Sequence, residues 1–205
     1  MDPSQVVRSG YDAKANEYLR SRLSGTKGLP LVDQLLDLVP AGGIVVDVGC
    51  GAGVPLTAYL AHHCRVLGLD FSLSQLHLAV TLAPNAFFAC QDLTALGLAP
   101  ASVDAICSFY AIIHVPRTKH RAILQDVNRV LRPGGHAVLC LGAEDLPEDF
   151  ADYEGAPMYW SHFDAATYLQ MLADVDLPPI RHELVPDPID RTGCHLFVLA
   201  RKPGA

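Results

Sequence analysis

Apolar runs and helical stripes alternate through the first two thirds of the chain. Ile44–Val48, Val66–Leu69, Ala86–Ala89, Val103–Phe109 and His136–Leu141 are short apolar runs beside turn residues, and they predict five strands. Between them the spacing predicts helices over Val54–His62, Ser72–Leu82 and Lys119–Leu131, the last with apolar residues at 123, 124, 127, 130 and 131 in a 3.6-residue stripe. Strands that are apolar on both faces and separated by helices imply a parallel sheet covered on both sides. Two further helices, about Asp12–Arg22 and Leu31–Leu38, precede the first strand. After the fifth strand the rhythm breaks. Residues 143–161 carry no clear element, Ala165–Val175 reads as a helix, and the runs Ile180–Val185 and Leu196–Ala200 are split by Pro186, Pro188 and Gly193. A connection that short joins antiparallel strands. No internal repeat and no Gly/Ser-rich linker divides the chain, so a single domain over residues 1–205 is expected.

Composition narrows the partners. Half of the residues are hydrophobic and 18% are charged, which excludes a disordered chain. The net charge is −7 and the longest basic run, Arg117–Arg121, is interrupted by Thr118, which argues against a nucleic-acid partner. Cysteines at 50, 64, 90, 107, 140 and 194 form no CxxC pair and read as small buried apolar residues of a reducing compartment. His62-His63-Cys64 has no further ligand at chelating spacing, so no metal is expected. No apolar stretch of signal-peptide length opens the sequence and none reaches 18 residues, so a cytoplasmic protein without membrane contact is expected.

The candidate chemistry begins at Asp47-Val48-Gly49-Cys50-Gly51-Ala52-Gly53, where the first strand turns into a helix. Glycines at alternate positions let the backbone turn tightly and approach a ligand, with helix N–H groups behind them. Asp70 ends the second strand, where a carboxylate can accept both hydroxyls of a ribose. Nicotinamide enzymes share this arrangement, but their G-x-G-x-x-G fingerprint needs a glycine at position 54, which is Val54 here. The competing role for Asp70, capping the next helix, belongs more naturally to Ser72.

The glycine loop, with Asp70 after the second strand, Gln91-Asp92-Leu93 after the third and Asn128-Arg129-Val130-Leu131-Arg132-Pro133-Gly134-Gly135 before the fifth, resembles the class I S-adenosylmethionine-dependent methyltransferases. The resemblance covers about residues 11–200. It implies a Rossmann-like, doubly wound α/β fold with a seven-stranded sheet, mostly parallel with an antiparallel last strand. It implies S-adenosylmethionine as cofactor and S-adenosylhomocysteine as product. By it Gly49, Gly51 and Gly53 border the methionine part, Asp70 holds the ribose, Asp92 takes the adenine amino group with Leu93 beside the ring, and Phe71 and Phe109 are further cofactor-binding candidates. Asp47 organises the loop. Tyr11, in Tyr11-Asp12-x-x-Ala15-x-x-Tyr18, matches a segment that closes over the cofactor, ordinary helix packing being the alternative.

The acceptor side is read from the ends of the fourth and fifth strands, because ligands in open α/β sheets lie beyond the carboxyl ends of the strands. In Ser108-Phe109-Tyr110-Ala111-Ile112-Ile113-His114, His114 is the candidate base, its ordinary pKa of ~6.5 suiting neutral solution. Capping of the next helix competes with that role, and Tyr110 and His162 are the further catalytic candidates. Six acids and no base fall between residues 144 and 154, a solvated rim, followed by the aromatic stretch Met158-Tyr159-Trp160-Ser161-His162-Phe163. Tyr18, Tyr153, Tyr159 and Trp160 are the expected substrate wall, with core under a lid as the alternative. An N-terminal helical lid over 1–40 and an insert over 143–163 would cover the site. The expected function is methyl transfer to a small molecule, an aromatic or natural-product-like bacterial metabolite. Two other readings stay open: a repurposed enzyme on the same pocket that cyclises or displaces internally, and a non-catalytic cofactor-binding partner. A homodimer or a partner enzyme is equally open. Tyr110-Ala111-Ile112-Ile113-His114-Val115-Pro116 and Met158-Tyr159-Trp160-Ser161-His162-Phe163 also resemble a bacterial subgroup of this family, which implies an acid within Arg191-Thr192-Gly193-Cys194-His195, where this sequence has none.

Overall fold

The computed structural model describes residues 2–22, 29–153, 155–187 and 193–204. The five expected parallel strands form as β1 (Ile44–Val48), β2 (Arg65–Asp70), β3 (Phe87–Cys90), β4 (Val103–Ser108) and β5 (Leu131–Gly142). With β8 (Pro179–Pro186) and β9 (Cys194–Arg201) they make one seven-stranded sheet in the order β3-β2-β1-β4-β5-β9-β8. β9 runs antiparallel to both β5 and β8, the arrangement expected of the last strand.

Alternation along β1 shows why both faces are covered. Val45 packs with Leu31, Val32 and Leu35 of α3 (Leu29–Leu38) and with Leu56 and Leu60 of α4 (Leu56–Leu60). Val46 and Val48 point to the other face, against Ile123, Leu124 and Val127 of α6 (His120–Val130) and Tyr168, Met171 and Leu172 of α7 (Ala165–Asp174). Successive strand residues face opposite sides, so two apolar layers follow from one continuous apolar run. From β1 the chain crosses to β2 on one side and β4 lies on the other. That reversal opens a crevice at the carboxyl ends of β1 and β4, where doubly wound sheets bind ligands.

Several boundaries differ from expectation for local reasons. The helix expected over 54–62 is the short α4, entered from Pro55 with no side-chain cap. The N-terminal helix begins earlier and breaks, giving α1 (Pro3–Ala13) and α2 (Ala15–Arg22). Asp2 accepts from Ser4 N at 3.0 Å and Pro3 occupies the first turn, a cap and a proline in their favoured places. β5 starts five residues early because Leu131 pairs with Val103 across an irregularity. The largest difference is residues 143–161, expected to carry no element. They supply β6 (Leu146–Tyr153) and most of β7 (Ala156–His162), an antiparallel hairpin separate from the main sheet. α1 packs on β7 and on α5 (Leu73–Leu82). Of the cysteines, Cys107 and Cys140 are buried as expected, whereas Cys90 is exposed on edge strand β3. No helix among the described residues is long and apolar enough to cross a membrane.

Candidate functional site

The crevice is a cleft of about 850 Å³, counted with its open mouth, roofed by α1. One wall is the loop between β1 and α4. Gly49 N and Cys50 N both donate to Leu69 O, at 2.7 and 3.0 Å, tying this loop to the end of β2. Gly49 has φ of +76° and a Cβ there would sit 2.2 Å from Ala111 Cβ, so only glycine lets the loops after β1 and β4 meet. Gly51 N donates to Asp70 Oδ2 at 2.9 Å and Ser72 N to Asp70 Oδ1 at 2.8 Å. Burial raises the Asp70 pKa, against those two N–H groups and that of Phe71, which favour the ionised form. Gly49, Gly51, Asp70 and Phe71 thus share the cleft wall, and Asp92, Leu93 and Phe109 continue it. Asp92 Oδ1 is held by Thr94 N and Thr94 Oγ1, both at 2.8 Å, which orients the carboxyl group at the end of β3.

Two residues expected at the cofactor lie behind this wall. The position a Cβ would take on Gly53 is 3.2 Å from Ala79 Cβ, so this third glycine serves the packing of α5. Asp47 is buried and accepts from Thr57 Oγ1 at 2.5 Å. Burial raises its pKa to about 7, opposed by the Thr57 hydroxyl and assisted by the nearby Asp70 charge. A carboxyl group with a raised folded pKa stabilises fully below its unfolded pKa of about 3.9 and loses that contribution as pH rises through about 7. Asp47→Asn keeps an oxygen for Thr57 without a buried charge. Its stability relative to the parent should rise between pH 4 and pH 8, by up to about 4 kcal/mol, in denaturant titrations at several pH values. An offset independent of pH would contradict this account.

The opposite wall descends from β4. Tyr110 has φ of +55° and begins the turn that places His114 in a 3₁₀ segment, Ile112–His114. His114 is buried between two distant segments. Its Nδ1 lies 2.8 Å from the carbonyl of Tyr159 on β7, and its Nε2 lies 2.9 Å from the hydroxyl of Tyr11 on α1. A carbonyl only accepts, so Nδ1 carries the proton and Nε2 presents its lone pair to the Tyr11 O–H. His120 steadies the neighbouring loop, with Nε2 2.8 Å from Val115 O and Nδ1 2.6 Å from the Tyr168 hydroxyl. Burial lowers its pKa to about 4, so it stays neutral at pH 7.

Aromatic rings join the roof to the hairpin in a closed circuit. Tyr11 lies 5.0 Å from Tyr18, Tyr18 6.4 Å from Tyr153, and Tyr153 6.0 Å from Trp160. Trp160 lies 5.6 Å from His114, which returns to Tyr11 at 5.6 Å. Tyr11, Tyr18, Tyr110 and His114 line the cleft, whereas Tyr153 and Trp160 stand behind them. Tyr159 is buried against Val7 and Met158 and reaches the site through its main chain. His162 lies outside the cleft, with Nδ1 2.6 Å from the carbonyl of Glu144 and its pKa lowered by burial. His195 packs edge-on to Tyr110 at 4.9 Å and takes Asp187 Oδ2 at 2.5 Å, so an acid reaches this histidine from upstream in the chain. Arg191 and Thr192 lie outside the described residues.

Sequence reasoning missed Gln75 and Gln91 in the cleft wall. Gln91 precedes Asp92, and its Oε1 is buried with no hydrogen-bond partner among the described residues. Gln91 stood in the Gln91-Asp92-Leu93 motif without a role of its own, and the Ser72-x-x-Gln75 spacing of a helix start was the signal available for Gln75.

Comparison with known proteins agrees with this geometry. Residues 45–135 match the family described as methyltransferase domain. The chain is 33% identical over 178 residues to phosphoethanolamine N-methyltransferase 1 of Triticum aestivum, covering 82% of this chain and 34% of that protein. It is 30% identical over 136 residues to the tRNA (carboxymethyluridine(34)-5-O)-methyltransferase ALKBH8 of Macaca fascicularis, covering 65% of this chain and 20% of that one. The chain therefore spans about a third or less of these curated relatives. In fold it is similar to the 1,6-didemethyltoxoflavin-N1-methyltransferase of Burkholderia thailandensis, whose structure holds 1,6-didemethyltoxoflavin and S-adenosylhomocysteine. That similarity has a TM-score of 0.76 at 18% identity, over 98% of this chain and 88% of the other. Matched over the glycine loop and through β5, and folded on the same sheet, the chain belongs to the class I S-adenosylmethionine-dependent methyltransferases.

Proposed function

We propose that this chain methylates a small-molecule acceptor, with His114 as the base and Tyr11 as its contact to the acceptor. The cofactor fits the residues present. A buried carboxyl group at the end of β2, a second at the end of β3 and a Gln91 oxygen with no partner among the described residues form an acceptor-rich strip, suited to the hydroxyl and amino donors of an adenosine. Gly49 and Gly51 face the methionine portion, Asp70 and Phe71 the ribose, and Asp92, Leu93 and Phe109 the base. When bound, S-adenosylmethionine supplies a methyl group already activated on sulfur, so the protein's share is placement and proton removal.

The observation that carries the reading is the position of His114 in the same cleft, held between the Tyr159 carbonyl and the Tyr11 hydroxyl. The fixed tautomer aims the Nε2 lone pair at Tyr11. The Tyr11 oxygen takes the acceptor's proton as its own passes to Nε2, and the Tyr159 carbonyl steadies the imidazolium that forms. Tyr18 and Tyr110 wall the acceptor; Tyr153 braces Tyr18, Trp160 braces His114, and His195 and Phe197 brace Tyr110. A roofed, aromatic-lined cleft on a chain of net charge −7 supports a small apolar or aromatic acceptor over a nucleic acid.

The test is incubation with methyl-labelled S-adenosylmethionine and a panel of phenolic and heteroaromatic acceptors, followed by mass spectrometry. One label in the acceptor per S-adenosylhomocysteine released is expected. A protein that binds no S-adenosylhomocysteine would overturn the assignment. Product formed without label would transfer the same pocket to a repurposed reaction.

A further inference from the structure

Gln75 occupies the third position of α5, and Ser72-x-x-Gln75 has the spacing of a capping box. In that motif the amide at the third position reaches back to the backbone N–H of the cap residue. Here that N–H is taken, because Ser72 N donates to Asp70 Oδ1 at 2.8 Å. The Ser72 hydroxyl is committed as well, accepting from Gln75 N at 3.2 Å and donating to Asp12 Oδ1 at 2.5 Å. Asp70 has displaced the glutamine side chain from its local partner.

The displaced amide faces the cleft. Gln75 is 1% exposed, and neither its Oε1 nor its Nε2 has a hydrogen-bond partner among the described residues. It lines the cleft with Asp70 and Gly51, its Oε1 3.7 Å from the position a Cβ would take on Gly51. Buried amides in folded proteins are almost always hydrogen-bonded, and an apolar side chain of the same length is the more stable choice where nothing is to be bound. Asp70 can only accept, and each of its oxygens already receives one backbone N–H. A vicinal diol offers two O–H donors, which suit the carboxylate, and two oxygens that need donors, which the carboxylate cannot supply.

We propose that Gln75 is the donor half of a diol clamp, its Nε2 donating to a ribose hydroxyl oxygen whose proton goes to Asp70. The inference rests on the cofactor reading above and adds a residue to it. It also explains why a glutamine is kept where burial alone favours methionine or leucine.

Gln75→Met tests it by calorimetry with two ligands, S-adenosylhomocysteine and 5′-methylthioadenosine, which shares the nucleoside and lacks the amino acid. Both dissociation constants should rise by the same factor, about tenfold, for a lost hydrogen bond in a buried site. The unliganded variant should melt no lower than the parent, because a buried amide with no partner among the described residues has been removed, while the shift in melting temperature on adding S-adenosylhomocysteine shrinks. Unchanged affinity for both ligands would overturn the proposal and leave water as the occupant. Weakening confined to S-adenosylhomocysteine would overturn it too, by moving Gln75 to the amino-acid end. A parent protein that binds neither ligand would instead overturn the cofactor reading beneath it.

Discussion

His114→Ala is expected to lower turnover by about 10²–10⁴-fold while leaving S-adenosylhomocysteine affinity within about twofold. The split follows from geometry. The imidazole bonds Tyr11 and the Tyr159 carbonyl, and neither bond touches the glycine loop or Asp70. Turnover in the parent should also fall as the medium becomes acid enough to protonate the imidazole, a fall the alanine variant would lack. Tyr11→Phe supplies the contrast: it keeps the ring packing against Tyr18 but removes the hydroxyl that meets Nε2, so it should lower turnover in the same direction with little change in stability. If His114→Ala retains most of its turnover and loses only about 1 kcal/mol of stability, the histidine is a packing residue, and Tyr110 becomes the next candidate base.

Asp70→Ala should weaken S-adenosylhomocysteine binding by about 10²-fold or more. On the proposed cofactor placement two charge-assisted hydrogen bonds to the ribose would vanish, each worth ~1.5–3 kcal/mol, and Gly51 N and Ser72 N would lose the carboxylate that fixes the loop. The raised pKa of Asp70 adds a sign: binding should weaken on acidification, as the buried carboxylate takes up a proton and ceases to accept both hydroxyls. Calorimetry of a folded variant with parental affinity would remove Asp70 from the ribose.

The chain's regular layers were legible in advance because burial on both faces leaves unbroken apolar runs. β1 begins and ends at the predicted residues, and Ser72 caps α5 as expected. The third glycine, at 53, departs from the dinucleotide fingerprint, and the structure gives the reason in the contact with Ala79. What could not be read is as instructive. β6 is exposed along nearly its whole length, with Glu148, Asp149 and Asp152 outward, so it has neither an apolar run nor an alternation to betray a strand. Its partner β7 has buried positions at Ala156, Met158, Tyr159 and Ser161, too irregular for period two. α1 is largely polar with one narrow buried face of Val6, Val7 and Gly10, so the predicted helix began only at Asp12 and passed over the Asp2-Pro3 start. The partners of His114 lay beyond any sequence argument, since they stand 103 and 45 residues away and one is a main-chain oxygen.

That main-chain oxygen decides which changes the hairpin can absorb. Any residue at position 159 offers a carbonyl, so the tautomer of His114 is indifferent to point substitution there so long as the strand keeps its place. It depends instead on register, with Phe150 opposite Tyr159 and Asp149 opposite Trp160. One residue inserted or deleted within β6 or within β7 would turn alternate carbonyls and side chains to the opposite faces. The imidazole would lose the anchor for its Nδ1 proton while β1, β2 and the glycine loop stayed as they are. Diversification of this ribbon should therefore proceed by exchange of side chains at constant length, with insertions and deletions confined to its turn.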